Sequence, residues 1–211
     1  MKPYIQVNCA MSADGKIAGD DRTQVTISSP EDKERVKRLR KDSDGILVGV
    51  GTVTADNPHL TVKGLGYDEN PVRIVLDPRG RTPDSALVLD NRAPTVIVTL
   101  ESCEKTWPDA TVIRIGRETI DLEPLMDKLY AMGIKTLMVE GGGETISAFF
   151  KANLVNRYTV YVGNLLIGGK DAPTPADGTG FLREADFARL RIIGTERLDD
   201  GLLIRWSVEK R

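Results

Sequence analysis

Apolar positions along this chain follow two rhythms. Short, almost wholly apolar runs recur at Gly45 to Val50 (GILVGV), Val72 to Asp77 (VRIVLD), Thr95 to Thr99 (TVIVT), Thr111 to Ile115 (TVIRI) and Thr136 to Glu140 (TLMVE). Brief runs rich in Val and Ile predict strands covered on both faces. Tyr4 to Met11 (YIQVNCAM) alternates in part and predicts a further strand, followed by a turn at Asp14-Gly15. Tyr158 to Val162 predicts another. The rhythm changes between Leu122 and Met132, where Leu122, Leu125, Met126 and Leu129 fall at helical spacing and Gly133 marks the stop. Ser29-Pro30-Glu31-Asp32 is a helix start. Ser29 can cap, Pro30 suits the first turn, and the two acids face the positive end of the helix dipole. That helix is expected to run to about Ser43, with Val36 and Leu39 as its apolar face. Another helix is expected near Thr145 to Asn153. At the end, Leu190 to Ile193 and Leu202 to Val208 flank Asp199-Asp200-Gly201, which predicts an antiparallel hairpin.

Strands alternating with helices define an α/β chain with a mixed, mostly parallel central sheet, helices on both faces and an antiparallel C-terminal hairpin. The length suits a single domain over residues 1–211. Ligands in such folds bind beyond the carboxyl ends of strands. The chemistry is therefore expected just after GILVGV, VRIVLD and TLMVE. Residues Lys63 to Asn70 and Gly168 to Gly180 are the mobile candidates.

Composition narrows the class. Hydrophobic content of 40% and charged content of 28% are those of an ordinary soluble protein. A net charge of -2 gives no electrostatic case for nucleic acid or an anionic membrane. MKPYIQVNCAM lacks the apolar core of a signal peptide. Cys9 and Cys103 offer no disulfide framework, so a cytoplasmic setting is expected. One histidine, His59, and two distant cysteines cannot build a His/Cys metal cage. His59 reads as an exposed loop residue.

Three strand-end loops carry candidate chemistry. Gly141, Gly142 and Gly143 separate a strand from a helix, so bare N–H groups and a helix start can meet a phosphate or pyrophosphate. The dinucleotide fingerprint G-x-G-x-x-G is absent, since Ile146 stands where its last glycine would fall. Pro78-Arg79-Gly80-Arg81 follows VRIVLD. Two guanidinium groups suit the 2′-phosphate of NADP, whereas Asp77 at the strand end suits the ribose of NAD. A solvated turn explains the same residues equally well. In Gly51 to Pro58, Thr52 and Asp56 can contact a ligand, although a short helical turn ended by Asp-Asn-Pro is the simpler local reading.

Taken in order, SADG (Ser12 to Gly15), DGILVGVGTVTADNPHLTVK (Asp44 to Lys63), NPVRIVLD, VEGGGE and NLLIGGKDAPT resemble the reductase family of riboflavin biosynthesis. Within it the chain is most similar to the stand-alone archaeal and fungal type, which acts on 2,5-diamino-6-(ribosylamino)pyrimidinone 5′-phosphate. The resemblance spans essentially the whole chain. It lacks the His-x-Glu and Pro-Cys-x-x-Cys signature of the zinc deaminase domain that bacterial relatives add. It implies a dihydrofolate-reductase-like fold, a homodimer, NADPH (with NADH as the other option) and reduction of the ribose C1′ to a ribityl chain.

The resemblance also assigns positions. Thr52, Asp56, Pro78, Arg79, Gly80, Arg81, Gly141, Gly142, Gly143 and Glu144 match cofactor contacts. Many relatives carry Thr where this chain has Glu144. Asn8, Arg40, Leu60, Lys63 and Glu140 match substrate contacts, with Asn8 replacing a lysine of some bacterial relatives. Glu140 is the expected catalytic residue, a carboxylate near the positive charge that develops as the sugar opens. Two other readings stand beside this one. They are a pteridine or folate reductase of the same fold, and a non-catalytic nucleotide-binding sensor.

Overall fold

Alternation along β1 (Tyr4–Met11) buries Ile5, Val7 and Cys9, as a strand with one face in the core requires. The computed structural model describes residues 1–211. The elements that follow are α1 (Pro30–Lys41), β2 (Gly45–Gly49), α2 (Val50–Asp56), β3 (Val72–Leu76), β4 (Thr95–Thr99), β5 (Thr111–Arg114), α3 (Leu122–Ala131), β6 (Thr136–Gly141), α4 (Gly143–Lys151), β7 (Arg157–Val162), β8 (Leu190–Leu198) and β9 (Gly201–Val208). The chain divides into two compact units. One comprises Met1–Tyr4 with Arg38–Met138, the other Ile5–Lys37 with Val139–Arg211.

In the first unit β2, β3, β4 and β5 are parallel neighbours. Leu47 faces Ile74 and Ile97 faces Val112 across the ladder. Ile46, Val48, Val50, Val53, Leu60, Val75, Val88, Ile97 and Trp107 form one apolar cluster. α3 buries Leu125, Met126 and Leu129, the face its spacing predicts.

In the second unit β1 and β7 are parallel, while β9 is antiparallel to both β7 and β8. The C-terminal hairpin is thus borne out, turning at Asp199, which takes φ 50°. The sheet is mixed and mostly parallel, as expected. α4 buries Ile146, Phe149 and Phe150. Phe150 meets Tyr158 edge-on at 5.3 Å between ring centroids, and Tyr158 stacks on Trp206 at 5.4 Å. Cys9 lies 3.7 Å from the Tyr158 hydroxyl, and burial pushes its thiol up to about 12. It is a packing cysteine, not a nucleophile.

Three local readings change. The short helical turn read before Pro58 extends over all of residues 50–56, because Val50 and Val53 bury themselves one turn apart, and Asn57 caps the end at φ 42°. α4 begins at the third glycine, two residues before Thr145. α1 is capped as predicted, Asp32 N–H donating to Ser29 Oγ at 3.2 Å, but Val36 and Leu39 are only half-buried. Its one buried residue is Asp32.

Both segments expected to move are tied down by side chains. Asp14 accepts from the N–H groups of Ile167 (3.1 Å) and Gly168 (2.7 Å), Asp20 from Asp171 N–H (3.1 Å), and Lys16 Nζ donates to Ala172 O (3.0 Å). Asn70 accepts from Val62 N–H at 2.8 Å and donates to Leu65 O and Gly66 O.

Candidate active site

The first unit holds a cavity of about 680 Å³ just past α2. Its lining includes Arg40, His59, Leu60, Lys63 and Arg92, and contains no carboxylate. Three of the substrate positions drawn from the resemblance, Arg40, Leu60 and Lys63, are therefore brought together. The volume suits a small phosphorylated molecule.

The wall is built by a turn after α2. Asn57 accepts Leu87 N–H at 2.8 Å. Leu60 takes φ 50°, a left-handed conformation that costs a branched residue about 1 kcal/mol or more. Burial offsets that cost, since Leu60 is only 2% exposed. The turn is also held from below by Arg73, which is fully buried in β3. Its guanidinium donates to Thr95 Oγ1 (2.9 Å), Leu87 O (3.2 Å), His59 O (3.4 Å) and Asp90 Oδ1 (2.7 Å), and also to Asp90 O and Ala93 O. Such a saturated donor is how a buried arginine is tolerated. Asp90 in turn accepts from His59 Nδ1 at 3.0 Å and pairs with Arg92 at 3.2 Å. His59 is thus not the exposed loop residue that sequence suggests. It is half-buried, hydrogen-bonded to Asp90 and part of the cavity wall.

The cofactor positions of this unit lie on α2 and after β3. Thr52 and Asp56 are four residues apart on α2, so they share one helix face. Burial raises the Asp56 carboxyl above its ordinary value. After β3, Asp77 is fully buried and consumed by its own loop. It accepts Arg81 N–H (2.9 Å), Thr82 N–H (2.7 Å) and Thr82 Oγ1 (2.7 Å). Pro78 is half-buried and Gly80 takes φ 69°, leaving Arg79 and Arg81 exposed. A side chain at Gly80 would also strike Cys103 Sγ at 2.9 Å.

In the second unit, Glu140 ends the buried stretch of β6 and is half-buried. Gly141 is buried, and Gly142 takes φ 79° at the N-cap of α4, where no side chain caps the helix. The first N–H groups of α4 are the kind that donate to an anion. Gly143 is needed for a second reason. A Cβ there would lie 2.3 Å from Thr174 O and 2.5 Å from Asp177 Oδ2. Glu144 is exposed. Asn8 is buried, 6% exposed, and its Oδ1 accepts from the Arg35 guanidinium at 2.7 Å. Arg35 also bonds Asp32 at 2.8 Å.

Sequence reasoning missed Arg73, Asp90, Arg35 and Asp177. Arg73 was detectable, because a charged residue inside the apolar run VRIVLD must have partners. The other three carry no local signal.

The geometry defines a mixed α/β protein with a cation-lined cavity and an uncapped glycine rim, and the chain belongs to the family described as the RibD C-terminal domain, which matches residues 3–204. Among its relatives is a protein of Archaeoglobus fulgidus named 2,5-diamino-6-ribosylamino-4(3H)-pyrimidinone 5′-phosphate reductase. It is 40% identical over 97% of both chains. A protein of Methanothermobacter thermautotrophicus with the same name is 38% identical over 99% of this chain and 100% of its own. Among solved structures, Acinetobacter baumannii RibD matches with a TM-score of 0.83 at 24% identity, over 99% of this chain and 58% of that one. The Saccharomyces riboflavin biosynthesis reductase Rib7 matches with a TM-score of 0.72 at 21% identity, over 99% of this chain and 90% of its own. The likeness to RibD reductase domains bears out the dihydrofolate-reductase-like fold, and the chain is a reductase of riboflavin biosynthesis.

Proposed function

We propose that this chain acts as a single reductase domain that uses NADPH to reduce the ribose C1′ of 2,5-diamino-6-(ribosylamino)pyrimidinone 5′-phosphate, giving the ribitylamino product. The observation that carries this reading is the cavity in which Arg40 and Lys63 meet with no carboxylate in the wall. Cations that converge on one cavity suit a phosphorylated ligand. Two full-length relatives are named for that substrate.

NADPH is favoured over NADH by the loop after β3. Asp77 is fully buried, with its carboxylate turned to Arg81 and Thr82 of its own loop, and so is closed to a ribose hydroxyl. Arg79 and Arg81 remain exposed for a 2′-phosphate. Thr52, Asp56 and the backbone of Pro78 to Arg81 would hold the cofactor in the first unit. Gly141 to Gly143 and the N–H of Glu144 would hold its diphosphate in the second, an uncapped helix start suiting that charge.

When bound, NADPH supplies the hydride. The protein's own part is to bind, orient and shield. Arg40 and Lys63 fix the phosphate, and Leu60 walls the ribose. The sugar opens to an imine or near equivalent, and Glu140 stabilises the positive charge there. Asn8 acts on the substrate side with its carbonyl oxygen already given to Arg35. A homodimer is part of this proposal. Leu190, Ile192 and Ile193 are exposed on β8, the last strand of its unit, where apolar side chains call for cover. The setting is taken as cytoplasmic, in keeping with two free cysteines. No helix is long and apolar enough to cross a membrane. Neither a membrane nor a nucleic acid is among the proposed partners.

The test is to incubate the protein with NADPH and each of the pyrimidine substrate, a dihydropteridine and dihydrofolate, and to follow absorbance of the reduced cofactor. Oxidation with the pyrimidine phosphate alone is expected. Oxidation only with a pteridine or folate, or with none, overturns the reading.

A further inference from the structure

His59 has one ring nitrogen committed and one to spare. Nδ1 is bonded to Asp90 Oδ2 at 3.0 Å, and the ring stands in the wall of the cavity lined by Arg40 and Lys63. Asp90 is itself fixed. It accepts from buried Arg73 at 2.7 Å and from Arg92 N–H at 3.1 Å. The His59 backbone is fixed too, since its carbonyl accepts from the same Arg73 at 3.4 Å. A ring held at both its backbone and its Nδ1 has little freedom left, so Nε2 is a pre-placed group.

We infer that His59 is a further specificity-determining residue, whose Nε2–H donates to the substrate phosphate beside Arg40 and Lys63, with Asp90 as the positioning residue that holds the ring. The inference rests on the proposed placement of the phosphate in this cavity. Its chemistry follows from the tautomer. Because Asp90 accepts from Nδ1, the neutral ring carries its proton there and offers a lone pair at Nε2. A lone pair repels a phosphate oxygen. Donation to phosphate therefore requires the imidazolium, and substrate binding takes up a proton when it starts from the neutral ring.

The charges around the ring act both ways. Asp90 and the phosphate dianion favour the imidazolium. Arg73 from β3, Arg92 after Asp90, and Arg40 and Lys63 of the cavity lining oppose it, and the Tyr67 phenol stands in the same lining. Asp90 stays ionised throughout. Burial pushes its carboxyl up, but bonds from Arg73, Arg92 N–H and His59, with the Arg73 charge, outweigh burial and hold it below the ordinary value.

The experiment measures substrate KM at about pH 6 and about pH 8 for the wild type, His59→Gln and His59→Lys, where histidine changes charge. At the lower pH, His59→Gln is expected to raise KM by about tenfold, the worth of one charge-assisted hydrogen bond. At the higher pH the two should converge. His59→Lys keeps a cation at both pH values and should hold KM low in both. The same loss with the dephosphorylated substrate, or no pH-dependent difference between wild type and His59→Gln, overturns the inference. So does a His59→Lys protein, folded by its thermal melt, that binds like the glutamine variant. Lys63→Ala is measured in parallel. If it fails to discriminate against the phosphorylated substrate, the cavity assignment itself falls. If it discriminates and His59→Gln does not, only the role of His59 falls.

Discussion

The Arg73 guanidinium, fully buried in β3, donates to the Asp90 carboxylate at 2.7 Å. This pair joins a parallel strand to the loop that carries the cavity wall. Replacing Arg73 by Met leaves Asp90 with only His59 and Arg92 as partners and takes the donor from the carbonyls of Leu87, Asp90 and Ala93. Leaving a buried polar group without its hydrogen-bond partner costs about 1–3 kcal/mol. The urea midpoint of Arg73→Met should fall accordingly, and an unchanged midpoint would show that the loop is held by other means.

The segment 165–173 depends on Asp14. Its carboxyl is lowered from an ordinary 3.8 to about 2, first by the Ser12 hydroxyl at 2.6 Å and then by the backbone N–H groups of Ile167 and Gly168. A depressed folded-state pKa means that this stabilisation is complete above the unfolded value and is lost as pH falls through the folded one. Asp14→Asn should therefore lower Tm at neutral pH. The gap from wild type should narrow as pH drops from about 5 towards 2. A constant gap across that range would count against the carboxylate.

Gly143 and its neighbour Gly142 should fail for different reasons. Alanine at 143 places Cβ 2.3 Å from Thr174 O and 2.5 Å from Asp177 Oδ2, so loop 174–177 must shift, at about 1–3 kcal/mol. Alanine at 142 meets φ 79° with ψ 119°, a backbone strain of about 1–3 kcal/mol. Proteolysis near residues 174–177, faster in Gly143→Ala than in Gly142→Ala, is the expected reading.

Arg79 and Arg81 carry the proposed choice of cofactor. Changing both to Ala should raise the KM for NADPH on the order of tenfold to a hundredfold, since each guanidinium would give the 2′-phosphate a charged hydrogen bond. The KM for NADH should hardly move. Equal losses for both cofactors would place the arginines away from the 2′-phosphate.

Glu140→Gln removes charge while keeping shape. Turnover should fall about a hundredfold or more, with the Kd for NADPH nearly intact. Unchanged turnover would reject an essential carboxylate at this position.

Strands and helices were legible because their signals are local. The apolar runs became β2, β3, β4 and β6 within a residue or so, and α3 followed its spacing. The short helical turn read in this stretch became a full helix over 50–56 because Val50 and Val53 found an apolar cluster that sequence neighbours cannot reveal. Likewise, α1 turned a polar residue inward, since Asp32 bonds Arg35, and Arg35 reaches Asn8 on another element.

From its sequence alone this chain had its element order, its strand-end glycines and its cationic positions Arg40, Lys63, Arg79 and Arg81. Those depend on spacing, backbone freedom and charge, which are properties of residues and short segments. Tertiary structure decided which charges are spent and which are offered. Asp77 closes its own loop, Arg73 and Asp90 hold the turn at His59, and Asp177 lies against Gly143. Each joins groups that only the folded chain brings within hydrogen-bond or contact distance, and at those distances a charge acts only on the neighbours that packing supplies.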